Sequence, residues 1–412
     1  MRFAGVARLP VMRGKTLVFA MCAGQVGNLL PHVVVPAVMV GHLIPLWGLS
    51  NAQAGLLAAA YAAGYMVAVP VLSSLTDRID ARRLLLAGSL ASSAATIAFG
   101  LLAQGLGSAM LLWALAGAGF AGAYMPGLRA LTDRLDPGDA SRSVTMYTSS
   151  YSLGVGLSFL ASQLVADAIG WRWAFVLTGL GPLVMVAAAA ALRPSPPPPA
   201  TPGARLLDFR PVLRNRGAMG YILGYGAHCF ELYGLRTWVV AFWTFVAARH
   251  EGGALVEPIT VSVLVTLIAM PASIVGNEWS IRFGRHRAIT VIQVASAAVA
   301  LAIGLLAGGP AWLLLALVLV YAFTVPADSG SLTAGMSASA EPRFKGATMA
   351  MHSMVGFGLS AAAGWSVGLA LDAFGGAESP TGWFAAFAVL AGGVLLGPLA
   401  LAWSRAAARP QG

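Results

Sequence analysis

The chain has 412 residues, of which 58% are hydrophobic and only 10% charged, with a mean hydropathy of +0.78. Soluble domains carry roughly 25% charged residues, so the deficit leaves no room for a sizeable soluble domain and makes lipid the solvent. The net charge of +10 would suit nucleic acid, but all of the 25 Lys and Arg except Arg172, Arg236 and Arg249 gather at the N-terminus, in alternate loops and at the C-terminus, the positive-inside pattern of a membrane protein.

That pattern places both termini in the cytoplasm, in a bacterial-type inner membrane, and requires an even number of spans. Arg2, Arg8, Arg13 and Lys15 precede an apolar run that continues past Cys22 to about Val40. This is longer than a signal peptide and reads as an uncleaved first span. Cys22 and Cys229 both lie in apolar stretches and read as small packing residues.

Apolar runs of about 20 residues, the length that crosses a bilayer, predict helices at 16–41, 52–75, 84–106, 108–131, 142–167, 172–192, 217–246, 258–280, 288–307, 311–335, 346–371 and 383–404. Between the second and third lies Asp77-Arg78-Ile79-Asp80-Ala81-Arg82-Arg83; about 205 residues later Arg282-Phe283-Gly284-Arg285-His286-Arg287 lies between the eighth and ninth. Asp167-Ala168-Ile169-Gly170 after the fifth helix is matched at the same offset by Asp372-Ala373-Phe374-Gly375 after the eleventh. Two independent repeats at half-length predict two related bundles that move against each other. A stiff run, Arg193-Pro194-Ser195-Pro196-Pro197-Pro198-Pro199, separates them, followed by an amphipathic surface segment at Leu206–Arg214. The expected division is an N-terminal bundle over 1–192, a cytoplasmic linker over 193–216 and a C-terminal bundle over 217–412.

With these features the whole chain resembles the major facilitator superfamily of secondary transporters. The family's loop signature, G-x-x-x-D-R-x-G-R-R, is met by Asp77-Arg78 and Arg82-Arg83, with Ser73 and Asp80 in place of glycines and Ala81 as an extra residue; the second copy has Ile281 in place of the Asp. Gly170-Trp171-Arg172-Trp173-Ala174-Phe175 is similar to the family's start of helix six. The resemblance implies an all-α integral membrane fold of twelve helices in two six-helix bundles related by a pseudo-twofold axis. It further implies that Asp77 meets the N-terminus of helix eleven near Gly346, where a carboxylate suits the helix dipole, and that Arg82 or Arg83 pairs with Asp133. Asp77, Arg78, Arg82, Arg83, Asp133, Arg282 and Arg285 are then conformational-latch residues. Trp113 stands near the position where many members carry a helix-four Arg, and helix five has Gly154 and Gly156 but no Gly-Pro, which tilts the reading away from drug–proton antiport.

A charge inside hydrocarbon costs roughly 2.5–3.5 kcal/mol or more, so the few intramembrane ionisable residues are functional candidates. Tyr225, His228 and Glu231 are spaced three apart on one face of helix seven. Glu231 is expected to load and release a proton, with His228 assisting; the competing reading is a Glu neutralised by His228 or a neighbouring helix. Gln25, Asn28 and His32 form a polar stripe on helix one, beside Pro31 and Pro36. They are expected to bind substrate opposite Tyr225 and His228, or else to bond neighbouring helices. Arg129 and Asp328 sit at similar depth after Pro126 and Pro326 and would form a cytoplasmic gate across the axis, or else snorkel separately. His352 and Tyr147–Tyr151 are weaker lining candidates.

The function expected from these residues is alternating-access transport of a small polar or anionic organic solute, coupled to protons, by a monomer in the bilayer. The alternatives are efflux of amphipathic toxic compounds and a non-transporting sensor. No catalytic triad, metal-ligand spacing or phosphate-binding loop is present in the sequence, so neither enzyme chemistry nor a cofactor nor nucleic acid is expected.

Overall fold

The computed structural model describes residues 12, 14–135, 140–195, 197, 207–250 and 255–406. Arg2, Arg8 and Arg13, and Pro196, Pro198, Pro199 and Leu206 of the expected linker, lie outside them. The described residues form helices and no strand. We number twelve membrane-crossing positions in chain order. The first is α1, Gly14–Leu29 continued after a bend of 46° as Val34–Trp47. Next come α2 (Asn51–Leu75), α3 (Ala81–Leu102), α4 (Leu106–Thr132), α5 (Ala140–Ile169) and α6 (Trp171–Ala190). The second half comprises α7 (Arg216–Ala248), α8 (Pro258–Phe283), α9 (Arg285–Leu305), α10 (Ala311–Ser339), α11 (Lys345–Ala373) and α12 (Pro380–Ala406).

Ten of these are long and apolar enough to cross a membrane, and the bent α1 makes eleven. The remaining position is α7, whose 33 residues include His228, Glu231 and Arg236 and are buried along nearly the whole helix. A helix shielded by neighbours on all sides can carry polar groups that a lipid-facing helix cannot. Elsewhere large apolar side chains point outward, among them Phe19, Val67, Ile281 and Leu305, each more than 60% exposed, as lipid contact requires.

Local chemistry sets the helix ends. Ser50 and Gln53 form a reciprocal capping box at the start of α2. Asp80 caps α3, and Asn215 caps α7 while also donating to Ser339 O at 2.8 Å. Gly170 and Gly284 hold φ of 100° and 86° in the abrupt turns before α6 and α9, a region open to glycine.

Three expected helices are interrupted: α6 between Trp171–Gly179 and Pro182–Ala190, and α1 and α10, whose breaks bear on the site. In α1 the turn at Leu30–Val33, set by Pro31, frees backbone groups; Ser158 of α5 accepts from Val33 N at 3.2 Å and donates to Leu30 O at 2.6 Å. In α10 the segments Ala311–Thr324 and Ser329–Ser339 flank a break at Pro326. There Gly276 of α8 lets the freed carbonyl of Ala327 approach the backbone where any side chain would collide.

The halves meet along two seams. α2 packs along α11, and α5 packs along α8. Exchanging the halves converts one seam into the other, as a pseudo-twofold axis demands. Gly55 lies against Gly364 O, Gly368 against Asn51 O, and Tyr65 stacks on Phe357 at 3.7 Å. At the end opposite the basic loops, Asp372 of α11 accepts from Asn51 N, Asn51 Nδ2 and Ala52 N at 2.8–2.9 Å, a carboxylate on the N-terminus of α2.

Candidate functional site

Midway along α1, α5 and α7 the polar side chains of the two halves converge. His32 sits in the α1 break, 5% exposed. Its Nε2 is 2.9 Å from Tyr151 Oη of α5, and Tyr151 Oη is 2.7 Å from Tyr233 Oη of α7. This chain crosses from one half to the other. Tyr61, Phe120, Tyr151 and Tyr233 surround the imidazole at 5.1–6.1 Å between ring centres. The Arg236 guanidinium lies 5.8 Å and 5.5 Å from the Tyr151 and Tyr233 rings. Arg236 is 5% exposed, and among the described residues no carboxylate forms an ion pair with it. Cation–π contact compensates part of its lost hydration and leaves a net positive pole at this level.

Towards the basic end, Gln25 accepts from Tyr147 Oη at 2.8 Å. The second amide atom of Gln25, both amide atoms of Asn28 and Nδ1 of His32 are buried with no hydrogen-bond partner among the described residues. A buried polar group left unpaired costs about 1–3 kcal/mol, so a stripe of them is a conspicuous local expense in an apolar helix.

The second half holds a denser cluster. Tyr225 of α7 stacks on His352 of α11 at 3.8 Å and on His228 at 5.6 Å. His228 Nδ1 is 2.7 Å from Asp328 Oδ1 and 3.1 Å from Val325 O in the α10 break. A carbonyl can only accept, so Nδ1 is the protonated nitrogen. Gln293 of α9 donates to Asp328 Oδ2 at 2.7 Å. Glu231 accepts from Ser296 at 2.8 Å, and Ser296 accepts from Thr324 at 3.2 Å. Both carboxyl side chains are 1% exposed. Two carboxyl groups thus share one buried cluster with the His228 imidazole between α7 and α10.

This geometry revises several sequence expectations. Glu231 is bonded to Ser296 and not to His228, which Asp328 takes instead. Helix one faces Tyr233, whereas Tyr225 and His228 pack towards α11 and α10. Arg129 and Asp328 are not paired: Arg129 Nε donates to Asp133 at 2.8 Å, one turn on, and its Nη1 lies 3.5 Å from Asp77, while Asp328 is engaged by His228 and Gln293. Proximity along α4 outcompetes a partner in the other half. Nor does Asp133 meet Arg82, which donates to Ala189 O and Ala190 O at 2.8 Å.

Asp77 does approach the start of α11: a Cβ at Gly346 would stand 3.6 Å from Asp77 Oδ2. Arg78, Arg83 and Arg282 are exposed, and Arg285 lies half-buried beside Tyr221. The strongest ion pair of the first loop joins residues the motif did not single out. Arg134 Nη2 lies 2.9 Å and 3.1 Å from the two oxygens of Asp80. Gln293 and Ser296, three apart on the apolar α9, were the sequence signal for the cluster around Asp328 and Glu231. Tyr233, two turns beyond Tyr225 on α7, was the signal for the bridge between halves.

The family model described as Major Facilitator Superfamily matches residues 17–354. No curated protein sequence matches the chain. Among solved structures, a bacterial homologue of the human lysosomal transporter Spinster, inward-facing and unoccupied, superposes with a TM-score of 0.69 at 18% identity, covering 95% of each chain. A peptide transporter POT in complex with sulfate gives a TM-score of 0.74 at 16% identity, covering 97% of each chain. At these identities the likeness is one of fold, and the matched family model carries the assignment. The broken, duplicated helices and the polar cluster between the halves are thus those of a transporter rather than an enzyme: the chain belongs to the Major Facilitator Superfamily.

Proposed function

We propose that this chain moves a small polar or anionic organic solute across an inner membrane by alternating access, driven by protons. The carrying observation is the burial of Glu231, Asp328 and His228 in one cluster at the break of α10, inside the second half. Removing a carboxylate from water and supporting it with only a few hydrogen bonds favours proton uptake whenever the environment dries, and release when it wets. Glu231, supported by Ser296, is the proton carrier, with His228 assisting beside it.

The unpaired amides of Gln25 and Asn28, the ring of His32 and the Tyr151–Tyr233 pair form the substrate face, and Tyr225 lines its lower edge. Arg236 supports the anionic reading, because a solute carboxylate or similar group would complete its charge balance. Positive-inside charge supports placing the basic loops and both termini in the cytoplasm. Asp77 at α11, with Arg129 and Asp133, is the latch on that side, and the Asp372–α2 cap is its counterpart opposite. Both contacts are made in the conformation observed, and rotation of the halves about the seams would open one while the other stays closed.

The test is accumulation in proteoliposomes under an imposed proton gradient, with solute classes screened by lumenal pH change. Glu231→Gln is expected to lose at least tenfold of proton-driven accumulation and to keep solute exchange. Normal accumulation by this variant removes the coupling role.

A further inference from the structure

A cavity lies outside the central cluster. Its volume is 320 Å³, at the lower end of small-molecule sites, and it opens at the end opposite the basic loops. Its walls come from both halves: α1 and α5 on one side, α7 and the start of α8 on the other. Tyr233 and Val240 are seven residues apart on α7, so the cavity begins about 10 Å beyond the tyrosine bridge.

The wall chemistry is one-sided. The body is apolar, with Val40, Leu164 and Ile259 among its lining. Asp167 and Glu257 stand at the rim. Gln163 contributes a buried side-chain oxygen with no partner among the described residues. Thr244 is spent on Val240 O at 2.9 Å. Among the described residues the one basic side chain within ion-pairing distance of either carboxylate is His42, at a loose 3.6 Å from Asp167. The two rim carboxylates and the Gln163 oxygen are thus acceptors without a firm donor among the described residues. His42 itself lies in a π-helical turn, Met39–Leu43, within α1. Such one-residue insertions are frequent at functional sites, and this one shapes the cavity wall.

We propose that this cavity binds an organic ammonium compound with a compact apolar body, at a site separate from the transported solute. The ammonium would sit between Asp167, Glu257 and the Gln163 oxygen, and the apolar body against Val40, Leu164 and Ile259. A metal ion would leave those walls uncovered, and an anion would face two carboxylates. Onward movement is opposed by the positive pole of Arg236, which lies between the cavity and the central cluster on α7. A ligand touching both halves stabilises the conformation in which they meet, so occupancy holds this end shut and inhibits transport. The inference goes beyond the proton-coupled reading and does not require it.

Titration calorimetry on the purified full chain tests this, with benzylammonium as probe and benzyl alcohol and benzoate as controls. Benzylammonium is expected to bind saturably at one site, benzyl alcohol at least tenfold more weakly, and benzoate not at all. Asp167→Asn and Glu257→Gln, both at the exposed rim, should each weaken binding two- to fivefold, and the pair about tenfold. Thr244→Trp, which fills the cavity and leaves the carboxylates in place, should abolish it. Glu231→Gln should bind as the wild type does. Absent binding, equal binding of benzyl alcohol, or full affinity in the Asp167→Asn/Glu257→Gln double variant overturns the site. Loss in Glu231→Gln with retention in the rim variants would put the probe in the central cluster; that result defeats this inference and leaves proton coupling untouched.

Discussion

Asp80 occupies a position where the loop signature has glycine, and it ties that loop together. Its carboxylate caps α3 through Arg82 N at 2.9 Å, accepts from Ser195 N at 2.9 Å, and meets Arg134 in a two-pronged pair. Burial pushes its pKa up, but the hydrogen bonds from Ser195, Arg134 and Arg82 outweigh this and hold it below the ordinary 3.8. A depressed carboxylate stabilises the fold fully above its unfolded value, and that stabilisation is lost as pH falls through the folded one. The Asp80 contribution should thus be complete above about pH 4 and vanish in stronger acid. Arg134 is 2% exposed at its side chain, and Arg134→Ala strands Asp80, so we expect a loss of about 3 kcal/mol. Thermal unfolding in detergent at pH 7 measures it, and Asp80→Asn should flatten the acid limb of the same curve. Ionisable residues inside apolar runs were legible in the sequence because each is conspicuous there. Their partners were not. Sequence spacing puts Glu231 beside His228, whereas the folded chain gives Glu231 to Ser296, 65 residues away.

At the scale of elements, the breaks in α1 and α10 carry the chemistry. Prolines announce a distortion in α1 and α10, but not which freed groups are then satisfied, or by whom. Ser158 closes the α1 break from α5. The α10 break is closed in part by His228 through Val325 O, so a candidate proton group also serves a helix end. Ser158→Ala should cost about 1–3 kcal/mol, since a buried N–H and a buried carbonyl both lose their partner. A fall in melting temperature is the expected readout, and Ser158→Thr, which keeps the hydroxyl, should recover most of it. An unchanged melting temperature in Ser158→Ala would mean that the break is satisfied otherwise. The length of α7 was read correctly from its apolar run. Its central position was expected only from the family resemblance, because hydropathy alone makes a helix with this polar content the weakest span of all.

For the whole molecule, the two seams and the Asp372 cap define the conformation observed. Asp372→Ala deletes three hydrogen bonds between the halves at one end and should shift the population towards a form open at that end. Spin labels at Leu46 and Phe374, both exposed there, should show a new, longer distance in the variant; an unchanged distribution would show that the cap does not hold this end. Apolar length, charge asymmetry and half-length repeats determined on their own that the chain is a duplicated twelve-helix membrane protein, because the bilayer imposes those constraints locally, on every span. Only the tertiary structure decided which buried polar groups meet: Asp328 with His228, Arg129 with Asp133 and Asp77, His32 with Tyr233 through Tyr151. Such pairings depend on helix rotation and on where the breaks fall. A single turn of register changes every partner while leaving hydropathy untouched.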